Sequence, residues 1–401
     1  MPPARVSPLA SLLLAFSPPA APAQPEGSRA LAGASEELAR TFREGVAERG
    51  ILGAGLLLLH RGETVEEAYH GHQDAERRVP VDADTAFHWA SITKTFTAVA
   101  TMRLRDHGRL SLDDPAVRHV PELREVHSPF GGVERITVRH LMSHSAGFRG
   151  PTWPWGGDKP WHPFEPTRWE QVVAMMPYTE VGFEPGARYA YSNPGIVFLG
   201  RTIEALTGED YEAHVEKNLL RPLGMRRAYF DRAPWHLLPH RSRSFERGAA
   251  GLRELPFDFD TGITVSNGGL NAPLGDMAFW LEFLLGNPER AALHEGLLRR
   301  SSLEEMFRAV VPLDPAKPQG DAMGLSFFLE KRRGSDLVAH SGGQNGFVSH
   351  FYLHLPTRAA LLLAFNTNVA PEAGGPEGTT SALDRRLLDL LLKRVLPALP
   401  R

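Results

Sequence analysis

Residues 89–96 read Trp89-Ala90-Ser91-Ile92-Thr93-Lys94-Thr95-Phe96 and place a lysine three positions after a serine. Residues three apart are neighbours on a helix, so the Lys94 amine would lie beside the Ser91 hydroxyl. A serine hydroxyl is a poor nucleophile until a base takes its proton. If the helix begins at Ser91, its free N–H groups and positive dipole end also favour an oxyanion there. The stretch therefore predicts a nucleophile next to a base, although a solvated helix start with a surface lysine has the same pattern.

The composition narrows the classes of protein to consider. The chain has 401 residues and no cysteine, which excludes disulfides, thiolate metal sites and cysteine nucleophiles. A formal net charge of −3 gives no reason to expect nucleic acid or an anionic membrane as a partner. Hydrophobic residues at 42% and charged residues at 23% are typical of a globular protein with a large core.

The N-terminus has the pattern of a targeting segment. Arg5 precedes an apolar stretch, Val6 to Phe16, and Ala21-Pro22-Ala23 forms an A-x-A type cleavage site. The stretch is too short to anchor the chain in a bilayer, and no cysteine follows it for lipid attachment. We interpret residues 1–23 as a signal peptide and expect a periplasmic or secreted protein. A disordered leader rich in alanine and proline is the alternative, because Pro8 interrupts the apolar run.

Apolar runs bounded by turn residues predict strands near both chain ends, with helices between them. Short turns between successive strands favour an antiparallel sheet. The predicted strands cover residues 51–60, 64–69, 324–331, 336–340, 346–355 and 359–366, and the predicted helices cover 35–49, 91–105, 135–142, 194–207, 211–219 and 383–396. We expect one α+β domain over residues 30–400. Its helix-flanked antiparallel sheet would come from about 35–105 and 255–400, with a helical region inserted at about 106–254.

A second motif is Tyr191-Ser192-Asn193. The tyrosine phenol can pass a proton, and the asparagine amide can both donate to and accept from an amide-bearing substrate. Because Pro194 and Gly195 follow, the tripeptide alone would be an ordinary turn.

A third motif is His340-Ser341-Gly342-Gly343, at the end of a predicted strand. Glycines at such a place let a substrate backbone lie close to the strand. We take these four residues as a candidate substrate-binding segment, although alone they would be a turn that contains a histidine.

Taken together, the three motifs resemble those of the serine β-lactamase and penicillin-binding-protein superfamily, close to class C β-lactamases, D-alanyl-D-alanine carboxypeptidases and related esterases. That family has Ser-x-x-Lys, Tyr-x-Asn and Lys/His-x-Gly in this chain order. The resemblance covers about residues 35–366 and implies a β-lactamase/transpeptidase-like fold, a site between sheet and helical region, and no metal or organic cofactor. Segments between the motifs match as well: Leu112-Asp113-Asp114-Pro115, Ile136-Thr137-Val138-Arg139-His140-Leu141-Met142-Ser143-His144, Arg221-Pro222-Leu223-Gly224-Met225 and Gly268-Gly269-Leu270.

The resemblance also implies roles by position. Ser91 would be the acylated nucleophile, and Lys94 and Tyr191 would share the general base and acid work, with the choice between them left open. Asn193 would hold the substrate amide or ester. The backbone N–H groups of Ser91 and Gly343 would form the oxyanion hole, a device in which one donor contributes about 10²–10³ in rate.

One residue departs from the pattern of many β-lactamases, which have lysine where this chain has His340. Histidine is a weaker and pH-dependent anchor for a substrate carboxylate. This favours an esterase or a D-amino-acid peptidase over an efficient β-lactamase. The expected partners are small ester, amide or lactam substrates or D-amino-acid peptides. The alternative is a penicillin-binding or cell-wall-binding protein that acylates and barely turns over.

Two histidines have the spacing of zinc ligands. His140 and His144 are four apart, but the zinc pattern H-E-x-x-H needs glutamate at Leu141, so we expect them to be structural.

Four tryptophans lie close together among prolines, and two interpretations are equally supported: they wall an apolar acyl subsite, or they pack the loop onto its own domain. These residues are Trp153, Trp155, Trp161 and Trp169, of which Trp153 and Trp155 are the candidate substrate contacts.

Overall fold

The computed structural model describes residues 26–148, 166–256 and 261–400. Its largest element is an eight-stranded sheet with the order β2-β1-β13-β12-β11-β10-β9-β8, in which every neighbouring pair is antiparallel. The strands are β1 Gly53–His60, β2 Glu63–Gly71, β3 Phe87–His88, β4 Tyr229–Phe230, β5 Phe245–Gly248, β6 Gly251–Glu254, β7 Leu270–Ala272, β8 Val311–Pro312, β9 Ala322–Met323, β10 Phe328–Arg332, β11 Ser335–Gln344, β12 Phe347–His354, β13 Ala359–Phe365 and β14 Thr367–Val369. Two three-stranded sheets, β14-β5-β6 and β3-β7-β4, accompany it.

Helices cover the sheet and fill the middle of the chain. They are α1 Glu26–Glu48, α2 Thr93–Asp106, α3 Val138–Met142, α4 Trp169–Met175, α5 Asn193–Thr207, α6 Tyr211–Val215, α7 Arg221–Leu223, α8 Val265–Gly268, α9 Leu274–Leu285, α10 Ala291–Leu297, α11 Arg300–Met306, α12 Pro371–Gly374, α13 Thr380–Leu390 and α14 Leu396–Ala398. Among the helices in the described residues, none is both long enough and apolar enough to cross a membrane.

Strand β1 shows why the first apolar run becomes a central strand. All eight of its residues are buried, because β1 lies between β2 and β13 and both sheet faces are covered. Its register with β13 places Leu57 opposite Leu362. Arg61 and Gly62, both with positive φ, form the tight turn into β2. Strands from the two ends of the chain therefore meet at the centre of one sheet.

The two largest parts of the core among the described residues lie one on each face of this sheet. On one face, α1 and α13 pack against β1 through residues such as Phe42, Leu56 and Leu387. On the other face lies the larger core, in which the Phe96 ring of α2 stacks on Trp280 of α9 with ring centroids 3.7 Å apart. Helix α2 is thus almost wholly enclosed, and whatever its first turn carries is held in a packed environment.

The predicted fold class is confirmed: an antiparallel sheet from both chain ends is flanked by helices. Two details differ from the sequence prediction. The middle region contains helices but also the short strands β4, β5 and β6. Strand β11 does not end at His340; it continues through Gln344, because β12 goes on pairing with it. Local sequence favours a turn at two adjacent glycines, and the neighbouring strand overrides that preference.

Candidate active site

Ser91 lies on a strained turn between β3 and α2. The residue before it, Ala90, has φ 46°, a left-handed conformation that is rare for residues with a Cβ. Ala90–Ile92 form a 3₁₀ turn, and the α-helix begins at Thr93, two residues later than the sequence suggested. Strain of this kind persists only where the surroundings enforce it, and it is common at reactive residues.

Lys94 is completely buried and points at Ser91. Its Nζ donates to Ser91 Oγ over 2.8 Å and to the backbone carbonyl of Asn267 over 2.7 Å. The serine and lysine therefore meet as their spacing predicts. The second bond holds the amine in place from α8, a segment of the chain that the motif does not include.

Tyr191 completes the group around the serine. The Ser91 hydroxyl lies close enough to its phenol to favour the charged form, and Lys94 Nζ lies 5.1 Å from the centre of its ring. Burial raises the pKa of Tyr191 well above its ordinary value, so the free protein carries a neutral phenol here. Lys94 is therefore hydrogen-bonded to the candidate nucleophile and Tyr191 lies beside both, and the choice between these two candidate bases stays open.

Asn193 and its neighbours form the start of α5 and not a simple turn. Ser192 is the N-cap: its side chain accepts from the N–H of Gly195 over 3.1 Å, and Pro194 occupies the first turn, where no N–H is needed. This cap fixes Tyr191 just before the helix. Asn193 is the first helical residue and is partly exposed, next to the tyrosine.

Sequence reasoning missed His144, which it placed among structural residues. The His144 ring stacks on the Tyr191 ring, with centroids 4.5 Å apart and planes inclined by 26°. Its Nδ1 accepts the N–H of Ser192 over 3.1 Å, and its backbone has φ 53°. Burial and the nearby Lys94 hold the pKa of His144 well below its usual range, so the ring is neutral. Only its contact with Tyr191, which is distant in sequence, identifies His144 as part of the candidate site. The sequence around it gives no indication of this apart from its position after helix α3.

His140 and His144 do not share partners. The N–H of Thr137 donates to the His140 ring over 3.3 Å, which makes His140 part of the capping box of α3. Within the described ranges no cluster of three potential metal-binding side chains occurs.

His340 lies on β11 with no exposed surface. Its Nδ1 donates to the carbonyl of Ser341 over 2.7 Å, so in the neutral ring Nε2 keeps its lone pair. That Nε2 has no hydrogen-bond partner among the described residues. Burial, and then the charge of Lys94, lower the pKa of His340 to about 3. The pH-dependent anchor expected near neutral pH is therefore absent at this position, because the ring is uncharged above about pH 4.

The other residues of the His340–Gly343 motif lie in two different environments. Gly342 is buried so tightly that a Cβ there would lie 2.2 Å from the carbonyl oxygen of Trp89. Gly343 is exposed, and a Cβ there would meet nothing within 4 Å. Ser341 is also exposed and pairs with His350 on β12. Gly342 thus seats β11 on the segment before Ser91, and Gly343 borders open space beside it.

Trp153, Trp155 and Trp161 lie outside the described residues, so the proposed subsite stays a prediction for them. Trp169 is partly buried at the start of α4. Its indole N–H donates to Glu122 over 3.0 Å, and the Arg201 guanidinium lies 5.3 Å from the ring centre. These contacts support the packing interpretation for this one tryptophan.

The site therefore brings together a candidate nucleophile on an enforced turn, two candidate proton carriers next to it, and a strand edge beside it. The family model described as Beta-lactamase matches residues 38–383, and the chain belongs to that family. The resemblance inferred from the motifs is confirmed.

Three similar proteins show how broad the family is. Protein flp of Staphylococcus aureus (strain COL) is 25% identical over 336 residues, which are 83% of this chain and 64% of flp, so this chain spans less than two thirds of that protein. Esterase EstB of Burkholderia gladioli is 29% identical over 192 residues, 46% of this chain and 48% of EstB. The structure of an octameric penicillin-binding protein homologue from Pyrococcus abyssi has a TM-score of 0.73 at 28% identity, over 90% of this chain and 77% of that chain.

Proposed function

We propose that this chain is a serine esterase that acts on neutral esters through an acyl-enzyme on Ser91. One observation carries the choice of substrate: His340 occupies the position of the cationic residue in many β-lactamases and is buried and uncharged. A neutral imidazole gives no electrostatic attraction to a substrate carboxylate, whereas an ester needs none. The likeness to esterase EstB supports the same choice.

The contacts of Ser91 support the following chemistry. Ser91 Oγ attacks the ester carbonyl while its proton passes either to the Lys94 amine in its neutral form, which is hydrogen-bonded to it, or to the Tyr191 phenolate beside it, since each group can accept a proton only when deprotonated. The bond to the alcohol then breaks, and the alcohol leaves with that proton. Water then attacks the acyl carbon and gives a proton to the same group, which passes it to Ser91 Oγ as the acyl–Oγ bond breaks and the acid leaves. The N–H groups of Ser91 and Gly343 would hold the oxyanion in both steps.

The test is steady-state hydrolysis of p-nitrophenyl butyrate, nitrocefin and a D-alanyl-D-alanine peptide, with a Ser91→Ala variant beside the wild type. We expect turnover of the butyrate ester that falls by about 10⁴-fold or more in Ser91→Ala. The two carboxylate-bearing substrates should be turned over far more slowly. Equal turnover of the ester by Ser91→Ala would refute the mechanism, and a clear preference for nitrocefin or the peptide would refute the substrate class.

Measuring both rates over a range of pH tests whether His340 is charged when substrate binds. If the ring is neutral, the rate ratio of nitrocefin to the butyrate ester should stay constant within about twofold from pH 5 to pH 8. A ratio that rises on acidification through pH 6.5 would show that His340 gains a proton and attracts the carboxylate.

A second candidate function is a penicillin-binding protein that acylates and deacylates slowly. This second candidate is supported by the 28% identity to the penicillin-binding protein homologue from Pyrococcus abyssi over 90% of this chain. Mass spectrometry after mixing with benzylpenicillin distinguishes the two. A penicilloyl adduct on Ser91 that persists for hours supports the binder, and absence of an adduct together with rapid ester turnover supports the esterase.

A further inference from the structure

His88 connects two pieces of backbone that the site needs. It is the last residue of β3, three positions before Ser91, and only 2% of it is exposed. Its Nδ1 lies 3.1 Å from Asn271 Oδ1 on β7, and its Nε2 lies 3.0 Å from the atom placed as Gln344 Oε1 on β11. Gln344 directly follows Gly343. The imidazole thus spans from the segment that leads into the nucleophile to the strand that carries Gly343.

The hydrogen bonds assign the proton on this ring. The Nδ2 group of Asn271 donates to the carbonyl of Gly269 over 3.1 Å, so the oxygen of that amide must face His88. His88 Nδ1 therefore carries the hydrogen. Burial lowers the pKa of His88 to about 4, so at neutral pH the ring has no second N–H. Nε2 must then accept, and the Gln344 amide must turn its NH₂ group towards it, since amide oxygen and nitrogen have nearly the same shape.

A second contact holds the same strand on the same segment. A Cβ at Gly342 would lie 2.2 Å from Trp89 O, so only glycine lets β11 approach this closely. Ser349 of β12 donates to the same Trp89 carbonyl over 3.2 Å. The ring of Phe347 packs against His88 with centroids 5.7 Å apart. Gly343 therefore lies between two attachment points, Gly342 on one side and Gln344 on the other.

We infer that His88 is a positioning residue for the oxyanion hole: through Gln344 it sets the position of the Gly343 N–H relative to that of Ser91. This rests on the proposed function of those two N–H groups. His88 would act through Gln344 and not by contact with the ester. Its effect would be on the charge that develops in the transition state, because a donor displaced by about 1 Å loses much of its stabilisation.

The test compares His88→Leu, Gln344→Leu and the double variant with the wild type. For p-nitrophenyl butyrate we expect each single change to lower kcat by about 10²-fold with KM nearly unchanged, since the ground-state ester does not need the oxyanion hole. The affinity for n-butylboronic acid, whose adduct with a serine is tetrahedral and anionic, should fall by the same factor. The double variant should lose no more than the worse single variant, because both changes break one link.

His60→Leu is the matched control, because it removes a buried histidine from the end of β1, three strands away from β11. It should change thermal stability and leave kcat and boronate affinity unaltered. Full kcat in folded His88→Leu and Gln344→Leu, or additive losses in the double variant, would overturn the inference. If His88→Leu does not fold, Gln344→Leu alone decides, since Gln344 is partly exposed. Absence of any Ser91-dependent ester turnover in the wild type would instead refute the proposed function.

Discussion

The two faces of the eight-stranded sheet are covered by helices of different character. On one face, α1 and α13 contribute mainly apolar side chains such as Leu38 and Leu387. On the other, the first turns of α2 bury Thr93, Lys94 and Thr97 completely. Burying polar groups is unfavourable unless each finds a partner. The face covered by α1 and α13 therefore contributes mainly to the stability of the fold. On the α2 face, polar side chains are buried at an unfavourable desolvation energy, and this burial positions the groups of the candidate site.

Three of the partners on the α2 face come from one segment. The backbone groups of residues 266–270 meet the helix in succession: Thr97 Oγ1 donates to Ser266 O over 2.6 Å, Lys94 to Asn267 O, and the N–H of Leu270 donates to Thr93 Oγ1 over 3.1 Å. The polar side chains of α2 thus fix α8 and the start of β7 against the nucleophile. The comparison predicts that changes on this face affect turnover and that changes on the other affect folding.

The largest expected effect is that of Lys94→Met. We expect kcat for the butyrate ester to fall by about 10⁴-fold or more, because Ser91 loses the amine bonded to it. Stability should fall by no more than about 1–3 kcal/mol, since the Asn267 carbonyl loses its partner while the cost of burying the amine is removed. Urea unfolding and steady-state kinetics measure the two quantities. A strongly destabilised Lys94→Met with normal kcat per folded molecule would contradict the division between the faces.

Leu387→Ala on the opposite face is the counterpart of that experiment. It should lower the free energy of unfolding by about 2–5 kcal/mol, as for other fully buried leucines. Its kcat per folded molecule should equal that of the wild type. A large loss of kcat here would show that the two faces are mechanically coupled through the sheet.

The next largest expected effect on kcat and stability is that of Gly342→Ala. Gly343→Ala, at the adjacent position, is its control. The new Cβ at position 342 would overlap the Trp89 carbonyl, so β11 must shift, and we expect about a 10²-fold loss in kcat and about 1–3 kcal/mol in stability. Gly343→Ala has open space and should change stability by less than about 0.5 kcal/mol. Equal destabilisation by both would refute the close approach.

A smaller effect is the dependence of folding stability on pH, which arises from His340 near the α2 face of the sheet. The pKa of His340 is about 3 in the folded protein and 6.5 in its ordinary state, so below pH 6.5 the unfolded chain binds a proton that the folded one does not. This stability is fully present above pH 6.5 and is lost as pH falls towards 3, at up to about 1.4 kcal/mol per pH unit. His340→Gln should reduce the dependence of unfolding free energy on pH between 6.5 and 4.5. An unchanged slope would show that His340 does not stay neutral in the folded state.

The smallest effect concerns Thr97→Val, which keeps the shape and removes the hydroxyl. Ser266 O and the Tyr211 hydroxyl, 2.7 Å from Thr97 Oγ1, would each lose a buried partner, at a cost of about 1–3 kcal/mol. Because this weakens the attachment of α8, kcat should also fall by a few-fold. Thr97→Ser keeps the hydroxyl and should retain kcat. Thermal unfolding and kinetics of both variants would show whether the hydroxyl or the methyl group matters.

Much of the site was predictable because its determinants are close in sequence. The three-residue spacing of Ser91 and Lys94 alone predicts their contact, since one helical turn separates them. The apolar runs at both ends predict a sheet, because strands buried on both faces must be hydrophobic throughout. The order of the three motifs then indicated the family. Tyr191 was assigned by resemblance, and the structure places its ring beside the Lys94 amine.

Tertiary structure alone decided what depends on residues distant in sequence. His144 stacks on Tyr191 across 47 positions, and His88 reaches Gln344 across 256. The neutrality of His340 follows from complete burial beside Lys94, which no local pattern encodes. Spacing along the chain determines which side chains share a helix face or a strand, but burial and charge depend on everything that packs around them. The amino-acid sequence by itself therefore identified the family and predicted the nucleophile, and the packed structure decided the contacts that hold the candidate site together and the direction in which burial shifts its pKa values.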